Sequence, residues 1–144
     1  MKRCFFIGHS DTPSSVLPVL SSAIENLIQQ YGVEEFLVGH YGQFDRLVAI
    51  ALADAQKKHP SIRLLLLIPY HPALHPVTLP AKFHGSVYPP DMERVPLRYA
   101  IVHANHYAVD HSDFLIACVR YSPSNAAKLV EYARKKTDCY VLTI

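Results

Sequence analysis

The stretch Phe36-Leu37-Val38-Gly39-His40-Tyr41-Gly42-Gln43-Phe44-Asp45 decides how this chain folds. Three apolar residues run into a glycine-punctuated loop, and a helical pattern starts straight after it. Residues 64–68 are uniformly aliphatic and read as the next buried strand. The unit is strand, loop, helix, strand. Glycine lacks a Cβ and tolerates positive φ, so it stands where backbone closely approaches another group. In open α/β folds, loops at the carboxyl ends of parallel strands are where ligands bind. A small-molecule cleft is therefore expected.

The same alternation extends in both directions. Residues 4–7 form a first strand, 8–13 a polar loop, and about 15–31 a helix with Val16, Leu20, Ala23, Ile24, Leu27 and Tyr31 at helical spacing. Pro18 falls in its first turn, where a missing N–H costs little, and Gly32 ends it. A strand over 35–38 leads to a second helix over about 46–58, apolar around most of its circumference and so well buried. Residues 62–68 make a third strand of the kind covered on both faces. Residues 69–91 hold six of the eleven prolines without a steady period, and read as a long loop of functional or mobile character. A third helix is expected over about 96–111, with Leu97, Ile101, Ala104 and Ala108 on one stripe. A fourth strand over 114–119, a fourth helix over 123–136 opened by Pro123, and a last strand over 139–144 complete the pattern. Such alternation predicts a three-layer, Rossmann-like, doubly wound α/β domain spanning 1–144, with about five parallel strands in the order 3-2-1-4-5. The switch point then lies between the first and fourth strands, and three loops converge there: 8–13, 39–45 and 120–125.

The 144 residues suffice to bury a core without a metal or disulfide staple, and the formal net charge of +2 is small. The basic runs, Lys57-Lys58 and Arg134-Lys135-Lys136, close predicted helices, where cations suit the dipole. A broad nucleic-acid-binding face is not expected. Three cysteines, Cys4, Cys118 and Cys139, sit in apolar runs and read as buried thiols in a reducing compartment. The opening residues are too few and too soon interrupted for a signal peptide, and no apolar stretch approaches the ~20 residues of a membrane span. A cytoplasmic protein with no membrane partner is expected.

Several residues at the converging loops have chemical potential. Gly8, His9 and Ser10 follow the first strand, and hydroxyls beside a helix N-terminus suit a phosphate. The alternative is a plain turn with Ser14 or Ser15 as N-cap. Gly39, Tyr41 and Gly42 line the second loop. Asp45 reads as the N-cap of the second helix or, if it meets a ligand, as a partner for ribose hydroxyls or a base amine. His9 and His40 each follow a glycine at a strand end, where two imidazoles would serve as acid and base or simply bond to backbone. Asn105 interrupts the third helix's apolar stripe with an amide that needs partners, and Ser122, Ser124 and Asn125 occupy the third loop. The chain lacks GxGxxG and the P-loop lysine, so no cofactor is expected. His71 and His75 are separated by Pro72, and no set of residues has convincing metal-ligand spacing.

The residues FLVGHYGQFDRLVAIALADAQKKHPSIRLLLLIPY resemble the YpsA-like branch of the SLOG superfamily, which joins the DNA-processing protein DprA (Smf) and the Lonely Guy phosphoribohydrolases. The family's GxxGxFD segment is similar to residues 39–45 here, its YPxxxExVPxRxAI segment to 88–101, and its Ser-Asp strand entry to 112–116. The resemblance covers nearly the whole chain. It implies a Rossmann-like fold, a nucleotide-like ligand, a sensor or regulatory role, and a homo-oligomer. It also implies an alternative, cleavage of a nucleotide's N-glycosidic bond, with Glu93 steadying positive charge on the ribose and His9 or His40 moving protons. Two departures stand out. Ala104-Asn105 replaces the family's Arg-Asn, and Ser124-Asn125-Ala126 replaces its Gly-Gly turn. The PGGxGTxxE motif of the Lonely Guy enzymes is absent, which argues against their hydrolysis. A domain retaining only protein-interaction duty is the third reading.

Overall fold

Strands and helices alternate along the computed structural model, which describes residues 1–144. The strands are β1 (Lys2–Ile7), β2 (Val33–Val38), β3 (Arg63–Leu67), β4 (Gly85–Val87), β5 (Phe114–Ala117) and β6 (Tyr140–Thr143). The helices are α1 (Leu17–Tyr31), α2 (Gln43–Lys58), α3 (Ala100–Asp110) and α4 (Asn125–Lys136). All six strands are parallel, in the order β4-β3-β2-β1-β5-β6. Cys4 lies level with Phe36 of β2 on one side and Phe114 of β5 on the other.

Successive side chains of a strand point to opposite faces, so each central strand feeds two cores. Cys4, Phe6, Phe36, Val38 and Ile116 pack with Leu20, Ile24 and Leu27 of α1 and Val48 and Leu52 of α2. Phe5, Leu37, Leu115 and Ala117 pack with Ala104 and Ala108 of α3 and Leu129 and Ala133 of α4. Three layers result, with the sheet buried on both faces. Alanines at 100, 104 and 108 let α3 lie close to the sheet. α1 closes at Gly32, whose φ of 65° is left-handed and whose N–H donates to the Leu27 carbonyl. No helix is long and apolar enough to cross a membrane.

Five details differ from the sequence reading. The sheet has six strands rather than five, because β4 arises inside the proline-rich stretch. It adds to the outer edge of β3, and the other five keep their expected relative order. His84 starts this pairing: its N–H donates to the Leu64 carbonyl at 2.8 Å and its Nδ1 accepts from the Leu64 N–H at 3.1 Å. α2 begins at Gln43 with Gly42 as its N-cap, so Asp45 lies within the first turn and is not the cap. Residues 97–99 form a 3-10 turn ahead of α3, and Leu97 is 70% exposed instead of joining the stripe. α4 begins at Asn125; its N-cap is Ser124, whose Oγ accepts from the Ala127 N–H at 3.0 Å, and Pro123 precedes the helix after a cis peptide bond. Neither Ser14 nor Ser15 caps α1, which is entered through a 3-10 turn.

Candidate functional site

A cleft of about 290 Å³ opens where the loops after β1, β2 and β5 meet, at the switch point between β1 and β5. Gly8, His9 and Ser10 line it from the first loop, and Gly39, Tyr41 and Asp45 from the second. Ser124 and Asn125 close it from the start of α4, and Asn105 reaches it from α3. Gly42, Ser122, His40 and Glu93 are not among its lining residues. Ser122 is exposed outside the cleft, and Glu93 is exposed on a short 3-10 turn, Met92–Arg94.

The glycines interlock the loops. A Cβ on Gly8 would fall 2.2 Å from the Phe44 ring. One on Gly39 would fall 2.8 Å from Asp45 Oδ2, and one on Gly42 would fall 2.7 Å from the Ser10 Cα. The chain thus comes close to itself at all three positions. The amides opening α2 are also occupied: Gln43 N–H donates to the Ser10 carbonyl at 3.0 Å and Phe44 N–H to the His9 carbonyl at 3.3 Å. These bonds satisfy donors that a helix start leaves free, so that end of α2 offers no anion site.

His9 is buried and firmly placed. Its Nε2 accepts from the Arg120 N–H at 2.9 Å, and its ring stacks on Tyr121 at 3.9 Å. A backbone N–H only donates, so Nε2 carries no proton in this arrangement. Thr12 Oγ1 donates to the His9 carbonyl at 2.8 Å and accepts the His9 N–H at 3.1 Å, which holds the first loop in one shape. His40 turns elsewhere: its ring packs against Tyr41 at 4.1 Å, and its buried Nδ1 has no hydrogen-bond partner. Burial lowers its pKa, partly opposed by the Leu67 carbonyl. The two imidazoles therefore do not form an acid–base pair across the cleft.

Asp45 is the one charged side chain lining the cleft, which no Lys or Arg lines. Its Oδ2 accepts from the Tyr41 N–H at 3.1 Å. Neighbouring protein encloses most of the carboxyl group, and burial raises its pKa to about 7, against the lowering effect of the Tyr41 N–H. No group of three His, Cys, Asp or Glu residues is placed to hold a metal ion. The lining thus offers an acceptor at Asp45 and N–H donors at the start of α4, where Asn125 and Ala126 border the cleft.

Tyr121 is the functional candidate that residue-by-residue reading missed. It follows β5 in the third converging loop, lines the cleft, and donates its hydroxyl to Asp11 at 3.1 Å. Its place directly after a strand at the switch point was the available signal. Compared with known proteins, the chain matches no family model and no curated sequence.

Proposed function

We propose that this protein binds a nucleotide or nucleotide-derived ligand at the carboxyl ends of its parallel strands, as a sensor or regulatory domain. The observation that carries this reading is the cleft itself, at the topological switch point, where open α/β sheets take their ligands. Its composition supports the same class. Asp45 accepts hydrogen bonds, Asn105 offers an amide, and Tyr41 and Tyr121 present rings that are 44% and 49% exposed. Aromatic faces beside a few convergent polar groups suit a planar base joined to a polar sugar. The volume of about 290 Å³ lies just under the roughly 300–1,000 Å³ range of ligand pockets, which favours one nucleoside unit over two. A self-associating protein is part of the proposal, supported by the exposed Leu97, Tyr99 and Val102 near the start of α3.

Thermal melting against nucleosides, nucleotides, ADP-ribose and NAD tests this function. A ligand at about a hundred times its Kd adds ~2.7 kcal/mol. In a domain of this size that raises Tm by about 8 °C. No shift with any of them, in a sample that melts cooperatively, would remove the proposal. Turnover is a second reading with one observation behind it. A cleft carboxyl titrating at about 7 is suited to general acid or base work. Release of free base from nucleoside monophosphates, abolished in Asp45→Asn, would favour that reading.

A further inference from the structure

The cleft does not stop at the start of α4. Asn105 of α3 and Asn125 of α4 line both the cleft and a second hollow, a groove of about 260 Å³ between those two helices, so the two compartments adjoin. Asn125, Lys128, Leu129 and Tyr132 recur at helical spacing and share one face of α4. Val102 and His106 line the same groove from α3. From Asn125 to Tyr132 it runs about 10 Å along the helix. Tyr132 marks its far end; the ring stacks on His106 at 4.0 Å, and the hydroxyl donates to Asp110 at 2.7 Å.

The chemistry changes along that path. Ser124 satisfies two amides of the first turn, through Oγ to the Ala127 N–H and through its carbonyl to the Lys128 N–H. The Asn125 and Ala126 N–H groups are left as donors where the compartments meet. Lys128 comes next and is exposed, near the positive end of the α4 dipole, where the helix gives a cation no support. Beyond it the groove is mainly apolar, with Leu129 buried beneath and Val102 36% exposed beside it. Burial lowers the His106 pKa, against the raising effect of Asp110, so that ring is uncharged at neutral pH and Lys128 is the groove's one charge. Donors, then one cation, then apolar surface match an anion that carries an apolar group.

We propose that the groove between α3 and α4 is a second subsite, and that the ligand is a nucleotide whose phosphate is esterified with an apolar group seated against Val102 and Leu129. This rests on the nucleotide-class reading above and deepens it. The nucleoside occupies the cleft, the phosphate lies beside the Asn125 and Ala126 amides, and the substituent fills the groove. A phosphodiester has one negative charge, matching the one cation at Lys128. A second sugar is a poorer occupant, because the Tyr132 hydroxyl is already given to Asp110 and the surface past Asn125 offers its hydroxyls little.

Isothermal titration at pH 7.5 with the methyl and phenyl esters of adenosine, guanosine, cytidine and uridine 5′-monophosphates tests the proposal. Both esters carry one negative charge, so their difference reads the apolar group alone. Burying roughly 60 Å² of ring surface is worth about tenfold in affinity. For at least one nucleoside, the phenyl ester should therefore bind about tenfold more tightly than the methyl ester. Val102→Trp fills the groove and should abolish that difference, so that the two esters bind alike. If the variant fails to fold, methyl NMR signals of the unmodified protein carry the test: the phenyl ester, and not the methyl ester, should shift those of Val102 and Leu129. Phenyl esters that bind no better than methyl esters while a nucleoside or its monophosphate binds, or a phenyl preference that survives Val102→Trp, would overturn the groove subsite and leave nucleotide binding standing. Binding of none of the nucleosides, monophosphates or esters would overturn both.

Discussion

Replacing Gly42 by alanine should cost far more stability than replacing Gly32, though both glycines have positive φ. Gly32 caps α1 at φ 65°, and an added Cβ there would meet nothing within 4 Å. The cost is the left-handed conformation alone, about 1 kcal/mol. Gly42 has φ 94° and ψ 174°, a region that L side chains almost never occupy. Holding alanine there costs about 1–3 kcal/mol. The new Cβ would also lie 2.7 Å from the Cα of Ser10, which is backbone and cannot rotate away. Forcing the two loops apart adds a further ~1–3 kcal/mol. The sum, about 2–6 kcal/mol, is a large share of a typical stability of about 5–15 kcal/mol. Urea unfolding of the two variants at pH 7.5 measures the difference directly. A Gly42→Ala cost within ~0.5 kcal/mol of the Gly32→Ala cost would refute the view that the first two loops are locked together at this point.

Asp45→Asn should stabilise the fold at neutral and higher pH. The folded pKa is raised from 3.8 to about 7, so the group is fully tolerated below pH 3.8 and progressively destabilises the folded state as pH rises through about 7. The gain from asparagine should be small at pH 4 and reach up to about 4 kcal/mol by pH 8; equal urea midpoints for the two proteins at pH 8 would contradict this. Gly8→Ala should destabilise by about 1–3 kcal/mol through the Phe44 ring, and less in a Phe44→Leu background. A double-mutant cycle with less than ~0.5 kcal/mol of coupling would deny that contact. Ser124→Ala should cost about 1 kcal/mol by removing the α4 cap, seen as a Tm about 3 °C lower, whereas Ser122→Ala should leave Tm unchanged.

The fold was legible because its elements announce themselves locally. The aliphatic run at 64–68 and the apolar residues at 36–38 need burial on both sides, and the helical spacing between them supplies the crossover. β4 was illegible for a physical reason. Gly85-Ser86-Val87 offers one apolar side chain, and its pairing is supplied by β3 and by the His84 contacts to Leu64. Asp45 misled in a similar way. A carboxylate at the start of a helix normally satisfies the first amides, but here carbonyls of His9 and Ser10, more than thirty positions away, already hold Gln43 and Phe44. That freed Asp45 to turn toward Tyr41 and the cleft.

The glycines carry the last step. In sequence they mark places where a ligand would approach backbone; in the structure each one admits another part of the protein. Gly8 receives Phe44, Gly39 receives Asp45, and Gly42 receives Ser10. All three contacts involve the second loop or the start of α2, and two of them tie that segment to the first loop. The loops on either side of the cleft floor are consequently one interlocked unit, shaped before any guest arrives. Preorganisation of that kind reduces the ordering cost of binding. It also explains why a carboxylate with a strongly raised pKa can be kept beside the cleft. The packing of Gly39 against Asp45 leaves the carboxyl little freedom to swing into water, so its ionisation responds to whatever donors enter the cleft beside it.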